Sequence, residues 1–241
     1  MWAYKKKRYA GKQFGNYAIE APIGQGRYGV CFLARSDQEQ LVIIKKFKPG
    51  MFKKNSEKNV FEAVILSKLK DKRVPEFLGV INEKRFYGFV LEFKQGLTVK
   101  EMLFKSNHEF SNEEIFNIGL KLIRIIKYLH ENGVVHRDIR IPNVIIDNEE
   151  VYLIDFGLAR WSDNQYPSHL DFSYLGDFLL YLLYSLFQTK KMHKKLPWHQ
   201  ELPLTPEKTI FLKRLFGIEG IYDNINDIER DFIAFFKVKD V

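Results

Sequence analysis

Apolar and polar positions change period several times along the chain, and each change marks an element. Leu41 to Phe47 alternates, with Ile43, Lys45 and Phe47 on one face and Val42, Ile44 and Lys46 on the other, as a strand places them. Ala18 to Ile23 and the run after Gly29 also read as strands, as do Phe77–Ile81 and Arg85–Phe93, a hairpin pair around Asn82-Glu83-Lys84. Between them, Ser56 to Leu69 has a helical period that puts Glu62, Ile65, Leu66 and Leu69 on one face. A further helix is predicted over Val99–Phe104. Ser111 with Glu114 forms a capping box opening a long helix with Ile115, Ile118, Leu122, Ile125 or Ile126, and Leu129 inward. Gly133 ends it as a left-handed cap. Two short apolar runs, Val144–Ile146 and Val151–Ile154, then predict a small hairpin. Helices are expected again from Thr205-Pro206 to Gly217, with Ile210, Leu212, Leu215 and Phe216 inward, and over Ile225–Phe236.

Composition narrows the class. With 46% hydrophobic and 15% aromatic residues among 241, the chain can bury a core, and disorder is excluded as a general description. The single cysteine, Cys31, excludes a disulfide framework or a multi-cysteine zinc site and fits a reducing compartment. Lys and Arg exceed Asp and Glu by 38 − 30 = 8, which favours anionic partners without choosing among them. The cluster Lys5 to Arg8 is followed by no apolar stretch, and Leu175 to Phe187 is too short to span a bilayer. The expectation is a soluble, cytoplasmic protein. Residues 1–16 read as a loosely held basic arm and 188–200 as a basic loop. Either one could dock an acidic partner.

The candidate chemistry is concentrated after Gly133. Asp138 and Asn143 are five residues apart in a polar segment between apolar runs, and Asp155 follows twelve residues after Asn143. An acid and an amide on a loop, then a second acid at the end of a hairpin, suit magnesium-assisted phosphoryl transfer, where positioning and charge neutralisation dominate. Near the other end, Gly24, Gly26 and Gly29 have the spacing that lets a backbone approach phosphate oxygens. That spacing also marks dinucleotide-binding folds, but there a helix follows the last glycine, and here a strand does.

These motifs together closely resemble the eukaryotic-type protein kinase family, over about 160 of the 241 residues. The resemblance implies a two-lobed α+β fold with a small β-rich N-lobe and a trimmed helical C-lobe. The basic arm would precede a kinase domain over 17–241, with N-lobe 17–94, hinge 92–96 and C-lobe 97–241. ATP would lie under the hairpin Ile23-Gly24-Gln25-Gly26-Arg27-Tyr28-Gly29-Val30-Cys31, with Cys31 standing where these enzymes have valine. Lys45 would hold the α- and β-phosphates and pair with Glu62, Lys46 being the rival assignment. Ile43 would tighten the adenine pocket, Leu91 would be the gatekeeper, and the backbones of Glu92 and Lys94 would meet the adenine edge. The resemblance makes Asp138 the base for the attacking hydroxyl and Asn143 and Asp155 the ligands of two magnesium ions, with manganese as an alternative. Arg140 stands where serine/threonine kinases carry lysine. His136 and Phe156 would be core residues, Cys31 a small buried hydrophobe.

The family pattern breaks after Asp155-Phe156-Gly157. No Ala-Pro-Glu occurs, and only the fifteen residues 156–170 separate Asp155 from Asp171. Asp171 is expected to cap a central helix and to tie down the loop backbone. That helix, with Leu175, Phe178, Leu179, Leu182, Leu183 and Leu186, is expected to be buried on every side. The trimmed lobe is similar to small, soluble serine/threonine-kinase-like proteins of spore-forming bacteria. The implied activity is a serine/threonine protein kinase that also phosphorylates itself, with constitutive activity expected from the short segment. A small-molecule or nucleic-acid-associated kinase and a nucleotide-binding pseudokinase are the alternatives.

Overall fold

A computed structural model describes residues 9–25, 29–48, 56–83, 86–187 and 196–238. The chain divides into two compact units, Met1–Lys94 and Gln95–Val241.

The described residues of the first unit form a six-stranded antiparallel sheet and the helix Ser56–Lys68. Its strands are β1 (Gln13–Phe14), β2 (Tyr17–Gln25), β3 (Gly29–Ser36), β4 (Leu41–Phe47), β5 (Phe77–Glu83) and β6 (Phe86–Glu92), in the order β1-β2-β3-β4-β6-β5. Helix α1 (Ser56–Lys68) lies between β4 and β5 in sequence. The alternation in β4 sorts the sheet into two faces. Phe32, Ile44 and Val90 are cross-strand partners and belong to a buried cluster with Phe14, Ile19, Val42, Ile81 and Phe86. Apolar residues on one face exclude water together, and this packing is what fixes the register. Gly29 is obligatory for steric reasons: a Cβ there would stand 2.1 Å from the carbonyl oxygen of Lys46 on the neighbouring strand.

Two expectations are corrected here. From Tyr9 onward the N-terminal segment is docked rather than loose. The Tyr9 ring packs edge-on against Phe32 and Phe86, and Gly11 N–H donates to the Ile19 carbonyl at 2.8 Å. The aromatic residues that make this arm look sticky also supply its anchor. The β5–β6 hairpin is longer than its apolar runs indicate, because Asn82 and Glu83 pair with Tyr87 and Phe86 in the ladder. Polar residues continue a strand whose side chains reach solvent.

The second unit is mainly helical. It contains β7 (Leu97–Thr98), α2 (Val99–Phe104), α3 (Asn112–Glu131), β8 (Val134–Val135), β9 (Val144–Asp147), β10 (Glu150–Leu153) and β11 (Arg160–Trp161). Helices α4 (Leu170–Ser185), α5 (Trp198–Glu201), α6 (Pro206–Leu215) and α7 (Ile225–Phe236) follow. Strands β10, β9 and β7 make one small sheet, β11 and β8 another. The capping box is present at both α2 (Thr98, Glu101) and α3 (Ser111, Glu114). Helix α3 buries Ile115, Ile118, Leu122, Ile125, Ile126 and Leu129, so both isoleucines of the predicted alternative point inward. Gly133 closes the helix with φ +69°. Phe116 and Phe232 stack at 5.9 Å between α3 and α7.

Helix α4 departs from the expectation of all-round burial. Phe172, Leu175, Phe178, Leu179 and Leu182 are buried, but Tyr181 is 50% exposed and Leu186 also reaches solvent. Ser173, Asp177 and Tyr181, four residues apart, form an exposed stripe, and partial burial raises the Asp177 pKa. In α6 the inward residues are Phe211, Leu212 and Leu215, while Ile210 is exposed. The last helices are tied by Arg214, whose Nη1 lies 3.1 Å from Asp231 Oδ2, and by the Tyr222 hydroxyl donating to the same oxygen at 3.0 Å. The short helix α5 begins inside the stretch 188–200 read as a basic loop, whose residues 188–195 lie outside those described. Residues 1–8 do so as well, so both proposed acidic-partner sites are largely outside the described structure.

Candidate active site

The sheet face opposite the core cluster carries Cys31, Ile43, Lys45 and Leu91 of the candidate nucleotide residues, whereas Val30 packs against the cluster. Leu33, Ile43 and Leu91 stand in one cross-strand row, and Cys31, Lys45 and Phe89 in the next. Gly24 pairs with Cys31 and Gln25 with Val30. Gly26, Arg27 and Tyr28 lie outside the described residues, and Ile23 is exposed. Cys31 is partly accessible rather than buried, because it lies on the face away from the core.

Lys45 Nζ contacts both carboxylate oxygens of Glu62 at 2.8 Å. The Glu62 side chain is 2% exposed and that of Lys45 13%. Glu62 shares its helix face with Ile65, Leu66 and Leu69, all buried. A carboxylate there is tolerable only with a counter-charge and hydrogen bonds, and Lys45 supplies both. Lys46 lies on the other face, its ammonium 5.4 Å from the Tyr9 ring centroid and 5.2 Å from that of Phe86. Period two therefore separates the two lysines into different chemistry. Leu91 is buried beside Ile43, and the Glu92 and Lys94 side chains join a hydrogen-bond network with residues 72 and 76.

In the second unit, β8 delivers the chain into the loop His136–Asn143. Asp171, fully buried, organises its start. One oxygen accepts from Arg137 N–H at 2.7 Å, the other from His136 N–H at 2.9 Å and lies 3.0 Å from His130 Nε2. Asp171 ties the loop backbone but does not cap α4. It sits within the first turn, the capping position is His169, and no side chain caps there. With its carboxylate turned to the loop, Asp171 has none to offer its own helix. His130 is a residue the sequence reading missed, although it follows Ile126 by one helical turn and so shares its inward face.

His136 is fully buried, its ring edge-on to Phe156 with centroids 4.7 Å apart. Burial depresses its pKa, against the opposing pull of the Asp171, Asp155 and Asp138 carboxylates, and favours the neutral ring. Arg137 has φ +65°, which turns the chain so that Asp138 N–H reaches His136 Nδ1 at 3.2 Å.

Asp138 is held from two sides. Arg140 Nε lies 2.5 Å from Oδ1 and its Nη2 donates to Oδ2 at 2.9 Å, a two-point ion pair that raises the Arg140 pKa. Asn143 Nδ2 donates to Asp138 Oδ2 at 2.8 Å and to its backbone carbonyl at 2.9 Å. These bonds fix the amide flip, leaving the Asn143 side-chain oxygen as an acceptor directed away from Asp138. Asn143 also accepts Ile154 N–H through its backbone carbonyl at 2.9 Å, which joins the loop to the residue before Asp155. Asp155 adopts φ +63°, is exposed, and precedes the turn Phe156–Leu158, in which Phe156 is buried. An amide oxygen and an exposed carboxylate are hard donors and fit a magnesium ion that takes its remaining ligands from phosphates and water. Among the described residues no cluster of three or more metal-binding His, Cys, Asp or Glu occurs.

The short segment after the turn is folded on itself. Arg160 pairs with Val135 across β11 and β8, Ser162 N–H donates to the Gly133 carbonyl at 2.7 Å, and Asp163 Oδ1 accepts from the amides of Gln165 and Tyr166.

A β-rich first unit with a buried Lys–Glu pair, and a helical second unit with this acid–amide–acid arrangement, define a phosphotransferase of the protein kinase class. The chain belongs to the protein kinase family: the model of the protein kinase domain matches residues 17–175. It is 35% identical over 226 residues to a probable serine/threonine-protein kinase of Bacillus subtilis, YbdM, covering 89% of this chain and 87% of that protein. It is also 31% identical over 158 residues to serine/threonine-protein kinase D of Synechocystis, covering 60% of this chain and 30% of that protein. The probable serine/threonine-protein kinase mkcB of Dictyostelium discoideum is 29% identical over 156 residues, 64% of this chain and 22% of that protein. No helix among the described residues is long and apolar enough to cross a membrane.

Proposed function

We propose that the chain is an ATP- and magnesium-dependent serine/threonine protein kinase, itself among its own substrates. The observation that carries this reading is the grip of Asn143 on Asp138, with the Asn143 side-chain oxygen left as an acceptor. Lys45, aligned by Glu62, neutralises the α- and β-phosphates. Asn143 and Asp155 hold magnesium, which supplies charge neutralisation to the transferring group. Asp138 orients the acceptor hydroxyl and takes its proton as the oxygen bonds to the γ-phosphorus and ADP leaves. Arg140 keeps a positive charge beside Asp138, in the place of the lysine of serine/threonine kinases, and supports that specificity. Arginine presents a fork rather than a point charge and so spans both carboxylate oxygens.

The test is transfer of label from γ-labelled ATP with magnesium, on the protein itself and on a generic basic substrate, comparing wild type with Asp138→Asn. Label in wild type alone, recovered as phosphoserine or phosphothreonine, establishes the reading. A second reading, a small-molecule kinase, is favoured by the compact 159–169 segment, which leaves little chain to form a peptide-docking platform. It predicts transfer to small hydroxyl acceptors and none to protein.

A further inference from the structure

The end of β6 is held to the segment after α1 by a polar clamp. Glu92 N–H donates to the Glu76 carbonyl at 2.9 Å, and Glu76 N–H returns a bond to Glu92 Oε2 at 3.0 Å. The other carboxylate oxygen, Oε1, lies 2.7 Å from Lys94 Nζ, which also donates to the Lys72 carbonyl at 2.8 Å. The Lys94 side chain is 6% exposed. An ammonium leaves water at high cost unless acceptors replace its hydration, and here a carboxylate and a carbonyl do so. The far side of the clamp is stiff. Asp71 accepts from Arg73 N–H and Nε, both at 2.8 Å, and Val74 N–H donates to the Asp71 carbonyl.

We infer that Lys94 and Glu92 act through their side chains as positioning residues for the nucleotide base. The inference rests on the nucleotide reading above, in which the main chain of 92–94 meets the adenine edge. That edge offers a donor beside an acceptor, and hydrogen bonds to it weaken steeply with small displacements of the main chain. The clamp fixes that main chain against residues 72–76. Its bonds run to the Lys72 carbonyl and the main chain of Glu76, whereas the ammonium proposed for the phosphates, Lys45, is held by Glu62. Loosening it therefore weakens recognition of the base while leaving recognition of the triphosphate.

The experiment uses the full chain with Lys94→Met, measuring kcat and KM for ATP and GTP and nucleotide affinity by direct titration. Loss of one base contact raises KM for ATP about tenfold, with kcat at saturating ATP lowered by no more than about threefold. KM for GTP moves less, so the preference for ATP shrinks. Lys94→Arg, which keeps the charge, restores part of the affinity, and Glu92→Gln shifts KM in the same direction. If Lys94→Met does not fold, the last two variants carry the test by the same split. Equal affinity for ATP in wild type and variants overturns the inference, as does an equal loss for ATP and GTP. Failure of wild type to bind ATP at all overturns the nucleotide reading itself, a distinct result.

Discussion

The guanidinium of Arg137 lies 4.3 Å from the ring centroid of Tyr166 and donates from Nη1 to the Leu158 carbonyl at 3.1 Å. An arginine next to Asp138 is thereby engaged within the short segment by an aromatic face and a carbonyl, with no phosphate needed to hold it.

Protein stripped of phosphate is accordingly expected to remain active. Phosphatase treatment, or Ser162→Ala with Ser168→Ala, leaves the labelling rate within about twofold, whereas Tyr166→Ala lowers it about three- to fivefold, the worth of a cation–π contact. A silent dephosphorylated protein that regains activity on phosphorylation within 161–169 would sink the idea.

The Lys45–Glu62 pair separates stability from activity. Lys45→Met takes the ammonium away from a buried carboxylate and should cost about 3–5 kcal/mol. Adding Glu62→Leu removes that charge and should recover most of the loss in denaturant unfolding. Phosphoryl transfer stays at least about a hundredfold down in both, because the ammonium proposed to hold the α- and β-phosphates is gone. Activity that returned with stability would show the pair to be a packing device.

Asp171 is the acceptor on which the loop hangs. Asp171→Ala leaves the buried amide of His136 and the part-buried amide of Arg137 without this acceptor and is expected to cost about 3 kcal/mol. Transfer should fall further than stability alone explains, read at a temperature where the variant is fully folded.

The depressed pKa of His136 has a defined sign. Its folded value lies below its unfolded value near 6.5, so the unfolded chain binds the extra proton first as pH falls. Its contribution to stability is present above about pH 6.5 and is lost as pH falls towards the folded value. Unfolding free energies measured from pH 7.5 to 5 should fall in wild type with up to one proton's slope more than in His136→Phe. Parallel curves would exclude the effect.

Much of this site can be read from the chain, and the exceptions have physical causes. Lys45 and Glu62 were legible because a strand's period and a helix's period each assign a face, and a charge on an apolar face demands a partner. Asp138, Asn143 and Asp155 were legible by spacing. The Lys94 clamp was not, since a lysine after a strand ordinarily extends into water, and this one is drawn in by the Glu92 carboxylate and the Lys72 carbonyl, which come together only in three dimensions. The exposed stripe of α4 was missed for the converse reason: hydropathy records that a residue can be buried, not that anything covers it. The contact of Tyr166 with Arg137 has no signature in the sequence, because it depends on a turn made by Asp163.

One carboxylate, that of Asp171, joins α3 through His130, the loop through two amides, and α4 through its own backbone. The loop thus has no private hinge. Its main-chain protons at His136 and Arg137, both bonded to that buried carboxylate, are expected to exchange with solvent deuterium as the helical core opens. The reacting segment of this enzyme should keep time with the slowest-exchanging part of the molecule, not with its surface loops.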